Sequence, residues 1–138
     1  MTELDAKEVF GWLDDCGELH LKVQGSSMSP FLHDKTDSVF LVKPQKIRRG
    51  DIVVFERNGC YIMHRVISVD NGFIDTLGDN LDIPETHIPL GNVAAVAVGA
   101  VRKGKKISTR SLIWKFYGRI YIIPAVRKVL RKLRRIIF

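Results

Sequence analysis

Two residues of this 138-residue chain have the types and company needed for acyl transfer. Ser27 lies in the hydroxyl-rich stretch Gly25-Ser26-Ser27-Met28-Ser29-Pro30, and His64 lies in Met63-His64-Arg65-Val66-Ile67. A serine hydroxyl is a weak nucleophile until a nearby base takes its proton, which imidazole does near neutral pH. A third group must orient the ring, and the stretch Gly78-Asp79-Asn80-Leu81-Asp82-Ile83-Pro84-Glu85 offers Asp79, Asp82 and Glu85. Taken singly, each residue has a plain structural alternative: Ser27 closes a turn, His64 is a satisfied core histidine, and Asp79 anchors the Gly78-Asp79-Asn80 turn.

The order of the surrounding motifs favours chemistry. Ser27-Met28-Ser29-Pro30 is followed by Arg49-Gly50-Asp51 with the apolar run Ile52 to Phe55, then by His64-Arg65-Val66-Ile67, then by Gly78-Asp79-Asn80. This ordered set resembles the boxes of the type I signal peptidases, serine proteases on a β-rich fold shared with LexA-type self-cleaving repressors. The resemblance covers roughly residues 23–101 and neither end. It implies Ser27 as nucleophile and His64 as general base. Typical bacterial members carry lysine at the base position, whereas the endoplasmic-reticulum and archaeal type carries histidine before Arg-Val-Ile, as here. Asp79 matches the Gly-Asp-Asn box and is implied as a catalytic group. Family members carry a further acid several residues on; the spacing here is irregular, which leaves Asp82 or Glu85.

An oxyanion hole needs donors aimed at the tetrahedral intermediate. Some members of the family place a serine two residues before the nucleophile, but this chain has Gly25 there. Backbone N–H groups are therefore expected to serve, that of Ser27 first, with the Ser26 side chain second. Gly25 permits close approach of a substrate backbone, and Met28 and Pro30 frame the nucleophile. Asp51 and Arg65 are expected to make turn or ion-pair contacts. The resemblance implies a serine endopeptidase acting on a precursor or leader peptide, bound extended along a strand edge with small residues before the cut, and needing no cofactor. Two alternatives are a peptide- or membrane-binding module on the same fold and a LexA-like self-cleaving regulator. The second lacks a lysine base and room for a helix-turn-helix ahead of the core.

The elements that must position these residues are mainly strands. Residues 1–17 predict a short helix in which Leu4, Val9, Trp12 and Leu13 share a face, Thr2 with Asp5 forms a cap, and Gly17 ends it. From residue 18 the period changes to two, with Leu19, Leu21 and Val23 alternating with His20, Lys22 and Gln24. The runs 38–42, 52–56, 60–69 and 73–77 read as strands, and Asn58-Gly59 and Asn71-Gly72 as tight hairpin turns. Residues 87–101 read as a further buried strand. Residues 18–102 thus predict an antiparallel β domain of six or seven strands, and the resemblance implies the signal peptidase/LexA-like arrangement. On the strand 60–69, Ile62, His64 and Val66 share one face, which sets the imidazole among apolar neighbours.

Charge divides the chain. Residues 1–85 carry all 15 acidic residues and 9 of the 22 Lys and Arg, whereas residues 86–138 carry 13 basic residues and no acid. The linker Arg102-Lys103-Gly104-Lys105-Lys106 leads to a basic amphipathic tail, 103–138. Leu112, Ile113, Phe116, Tyr117 and Ile120, then Val126, Val129, Leu130, Leu133 and Ile137, follow helical spacing, and Pro124 is expected to kink the helix. Arg127, Lys128, Arg131, Lys132, Arg134 and Arg135 fill the intervening positions, and Trp114 and Tyr121 add aromatic rings. Such a tail suits an anionic membrane surface, packing on the β domain or homodimerisation, and a basic stripe does not by itself make a nucleic-acid site. The start of the chain is acidic, without a signal peptide, and no run reaches the ~20 apolar residues of a transmembrane helix. A cytoplasmic protein, peripheral at the inner face of the membrane, is expected. Cys16 and Cys60 are too few for a disulfide framework, and His20, His33 and His87 have no metal-ligand spacing.

Overall fold

The computed structural model describes residues 3–29, 31–108, 114–116, 123, 126–129 and 132. Helix α1 (Glu3–Gly11) and the short α2 (Leu13–Cys16) precede eight strands: β1 (Glu18–Lys22), β2 (Ser38–Val42), β3 (Ile52–Arg57), β4 (Cys60–Asp70), β5 (Phe73–Leu77), β6 (Glu85–Pro89), β7 (Val93–Arg102) and β8 (Lys105–Ser108). They form one antiparallel sheet in the order β1-β2-β7-β3-β4-β5-β6, with β8 paired to β7. The mainly β architecture agrees with the sequence-based expectation.

The sheet is apolar on both faces, which is why β3 reads Ile-Val-Val-Phe without alternation. Ile52 and Val54 enter one cluster with Val23, Met28, Leu32, Val39 and Leu41. Val53 and Phe55 enter a second with Val66, Ile74, Ile88 and Val93. Small residues of β7, Ala95, Ala97 and Ala100, let the first cluster close over the sheet centre.

Hairpin chemistry sets the register. Asn58 and Gly59 take φ of 52° and 79°, and Asn71 and Gly72 take 45° and 84°, the doubled positive φ of the tight turns that match strand twist. Lys103 and Gly104 do the same at 50° and 78°, so the segment expected as a linker is a hairpin turn into β8. The run expected as one strand at 87–101 divides at a 3-10 turn, Leu90–Asn92, because Pro89 and Gly91 interrupt the ladder. The N-terminal helix also divides, at Trp12, and its contact residues differ from the expected stripe. Leu13 is buried and Phe10 stacks on Tyr61 at 4.9 Å, whereas Trp12 is 48% exposed. Gly17, at φ 78°, ends α2 as expected. The Thr2 cap, Pro30, Pro124 and the apolar stripe residues Leu112, Ile113, Tyr117, Ile120, Leu130, Leu133 and Ile137 lie outside the described residues, as does Tyr121.

Candidate active site

His64 stands near the middle of β4, where two strands share its partnership. Cys60 to Arg65 pair with β3, and Arg65 to Asp70 pair with β5. Among the described residues, 60–64 therefore have a partner strand on one side alone, leaving an open strand edge that runs up to His64. The imidazole is buried, at 5% exposure, and meets the Phe55 ring edge-on at 6.3 Å. Its Nδ1 lies 2.6 Å from Glu85 Oε1. A carboxylate only accepts, so Nδ1 carries a proton, and in the neutral ring Nε2 then has a free lone pair.

Register explains why Glu85 is the acid that arrives there. Val66 faces Thr76 across β4 and β5, and Thr76 faces Glu85 across β5 and β6. All three side chains share the sheet face of His64, and Thr76 Oγ1 donates to the same Oε1 at 2.7 Å. One carboxylate oxygen thus receives both a hydroxyl and an imidazole N–H, which fixes the ring orientation.

Asp79 is held elsewhere. Arg65, fully buried, donates from Nε to Asp79 Oδ1 and from Nη2 to Oδ2, each at 2.8 Å. Its Nη1 donates to the Gly50 carbonyl at 3.0 Å, and its guanidinium lies 5.0 Å from the Phe31 ring centroid. Arg65 therefore links the Arg-Gly-Asp turn, strand β4 and the Gly-Asp-Asn loop. Asp51 completes the first of these by accepting from the Arg48 N–H at 2.8 Å, while its carbonyl receives the Val66 N–H. Burial pushes the Asp51 carboxyl above its ordinary value, against the opposing pull of the Arg48 N–H and the Arg48 and Arg65 charges. Asp82 is exposed in the loop between β5 and β6, in the stretch that carries Glu85.

Ser27 approaches from the opposite side of the ring. Its carbonyl accepts from the Asn80 N–H at 2.8 Å, tying its turn to the Gly-Asp-Asn loop. Gly78 has room for a hydrogen alone: a Cβ there would lie 2.9 Å from Ser27 O and 3.0 Å from His64 Nε2. The Ser27 carbonyl oxygen and His64 Nε2 therefore border the same small volume. Among the described residues no hydrogen bond joins the Ser27 hydroxyl to Nε2, and such bonds often tighten when substrate binds. The Ser27 N–H has no acceptor among the described residues.

Met28 belongs to the core, at 1% exposure, and with Leu32 N–H on its carbonyl it anchors the backbone beside Ser27. Gly25 takes φ 84° and its N–H goes to Asp34 Oδ1 at 2.8 Å. Ser26 is exposed, and its carbonyl accepts from Ser29 N–H at 3.1 Å. The base of this loop is clamped by Asp37, which accepts from the His33 N–H and from Arg102 Nε and Nη2. Burial raises the Asp37 carboxyl, but Arg102 and the His33 N–H outweigh it and hold it below the ordinary carboxylate value.

A groove of about 660 Å³ runs between Leu21–Gln24 and the open edge at Tyr61 and Met63. Two residues of the basic tail are buried on the same domain. Trp114 meets Phe31 edge-on at 4.9 Å, and Arg127 reaches the carbonyls of Gly78 and Leu81. Thr76, Asp37 and Arg127 were missed by sequence reasoning. Thr76 is disclosed by its place opposite Val66, and Asp37 and Arg127 by contacts across 65 and 49 residues of chain, which no local pattern signals.

Residues 11–101 match the sequence profile of the family described as Peptidase S24-like. The chain belongs to that family. The matched span runs from the end of α1 to β7 and includes Ser27, His64, Asp79 and Glu85. Peptidase S24-like proteins take in serine peptidases and LexA-like self-cleaving proteins, on the fold that signal peptidases share. A search of curated proteins found no match.

Proposed function

We propose that the chain is a histidine-base serine endopeptidase of the signal peptidase kind, with Ser27, His64 and Glu85 as its working group. The observation that carries the proposal is the alignment at His64: Nδ1 on Glu85, and Nε2 across Gly78 from Ser27. Glu85 takes the ring-orienting role, since both oxygens of Asp79 are occupied by Arg65.

Nε2 takes the Ser27 proton as Oγ attacks the scissile carbonyl carbon. The carbonyl oxygen becomes an oxyanion, which the Ser27 N–H stabilises by donating to it. His64 then gives its proton to the departing amine, the C–N bond breaks, and an acyl-serine remains. Water, deprotonated by the same nitrogen, hydrolyses the ester and restores Ser27. An extended peptide can add itself to the open edge at residues 60–64, with alternate side chains entering the groove beside Leu21 and Tyr61. Incubating the chain with a peptide library and sequencing new termini by mass spectrometry tests this. Cleavage absent from Ser27→Ala and from His64→Ala is the expected result, and cleavage persisting in either variant overturns the assignment.

Attachment to an anionic membrane through the basic segment belongs to the same proposal. No helix among the described residues is long and apolar enough to cross a bilayer. Phe116 and Val129 are 65% and 57% exposed, beside the exposed Lys115, Lys128 and Lys132. Each cation near such a surface contributes ~1 kcal/mol. Removal of the tail is a poor test because Trp114 and Arg127 are docked on the domain. Reversing Lys115, Lys128 and Lys132 to Glu should lower binding to anionic vesicles at least ~100-fold. Equal binding would refute the attachment.

A further inference from the structure

The loop between β5 and β6 performs three tasks at once. It presses Gly78 against Ser27 and His64, sends Asp79 into Arg65, and delivers Glu85 to the imidazole. Its inner side is held by the Asn80 N–H on Ser27 O, and the Leu81 N–H closes the turn on Gly78 O at 2.9 Å. On its outer side, Arg127 Nη2 donates to Gly78 O at 3.2 Å and also to Leu81 O. Arg127 comes from a helical turn at 126–129, whose N–H on Ile123 O at 3.0 Å fixes its backbone. It is 6% exposed, and a buried cation persists only where carbonyl or anionic oxygens receive it. Those oxygens are the two ends of the turn that carries Gly78.

We infer that Arg127 is a positioning residue for the Ser27–His64 pair. By holding Gly78 O and Leu81 O together it keeps the turn closed, and so keeps Gly78 seated between Ser27 O and Nε2. The C-terminal segment is thereby part of the active site as well as a basic surface. Trp114, on the Phe31 ring that Arg65 covers, gives the segment a second anchor on the same assembly. This role rests on the peptidase proposal, while the closure of the turn is measurable without it. Lysine keeps the charge but lacks the planar fork of donors, so it should serve only in part.

The test uses the full chain, with Arg127→Ala and Arg127→Lys. Amide exchange by NMR reports the turn at Asn80 and Leu81, and the Val66 and Gly50 amides report the rest of the sheet. A fluorophosphonate, which phosphonylates an activated serine with loss of fluoride, reports Ser27. Arg127→Ala should raise exchange at Asn80 and Leu81 roughly tenfold, as expected for loss of a charge-assisted hydrogen bond, and leave Val66 and Gly50 unchanged. Ser27 labelling should slow by a similar factor, in its maximal rate and not in the half-saturating concentration. Arg127→Lys should be intermediate, and millimolar guanidinium should restore labelling to Arg127→Ala without changing His64→Ala. If the alanine variant does not fold, the lysine variant carries the same comparisons. Unchanged exchange overturns the inference, and so does faster exchange with unchanged labelling, which would make Arg127 a tail anchor only. Failure of the wild-type chain to label would overturn the Ser27 assignment itself, an outcome distinct from equal labelling of all three chains.

Discussion

Replacing Gly78 by alanine adds one methyl where Ser27, His64 and the loop converge. That Cβ would sit 2.8 Å from Leu81 Cδ1, 2.9 Å from Ser27 O and 3.0 Å from His64 Nε2, against the ~3.5–4.0 Å at which such atoms rest. Leu81 is partly exposed and its side chain can turn away. The other two neighbours are anchored: Ser27 O accepts from the Asn80 N–H, and the ring is held through Nδ1 by Glu85. The methyl therefore acts as a wedge between the Ser27 backbone and the His64 ring. Gly78 lies outside the left-handed region, so steric contact and not backbone preference sets the cost. Overpacking of this size destabilises by ~1–3 kcal/mol. A misplacement near 1 Å costs ~10²-fold in rate, so a shift of a few tenths should slow Ser27 labelling by roughly 3- to 10-fold. Urea denaturation and timed fluorophosphonate labelling measure the two effects. Gly91→Ala is the control, since nothing lies within 4 Å of its Cβ position and its φ is ordinary. Wild-type labelling and stability in Gly78→Ala would refute the packing on which the whole site rests.

Glu85→Gln should leave the fold nearly as stable but reduce peptide cleavage by ~10²-fold or more, within the range that general-base assistance supplies, as read from initial rates. Asp79→Ala should act in the reverse sense. It strands the buried Arg65, so urea denaturation should show a loss of ~3–5 kcal/mol before any kinetic effect is considered. Asp37 predicts a pH dependence. Its folded carboxyl lies below the ordinary value, so its contribution is present above that value and is lost as pH falls through the folded one. Asp37→Asn should lower stability at neutral pH and flatten the acid limb of a stability–pH curve, whereas a parallel curve would contradict the clamp on Arg102.

Local chemistry was legible in the sequence and non-local geometry was not. Asn58-Gly59 and Asn71-Gly72 announce their turns because few residues other than Asn and Gly accept positive φ, and alternation in β1 and β4 sets which side chains share a face. The sequence places Lys103-Gly104 in a linker, because lysine is a poor signal for φ 50°. The choice among Asp79, Asp82 and Glu85 depends on the register of β5 with β6, which shifts between Ile74 and Thr76. No count of residues from Asp79 anticipates an irregularity of that kind. The sequence assigns Arg65 a turn or ion-pair contact, and the pairing with Asp79 explains both residues together. In sequence Arg127 is one more cation on a basic stripe, and the backbone carbonyls it reaches, Gly78 O and Leu81 O, carry no sequence identity.

The central claim is that Ser27 is a nucleophile activated by His64. Peptide mapping of the chain after fluorophosphonate treatment tests it most directly. A single adduct on Ser27, absent in Ser27→Ala and slowed at least ~100-fold in His64→Ala, is the predicted result. No adduct, or a Ser27 adduct that forms as fast without His64, would contradict it.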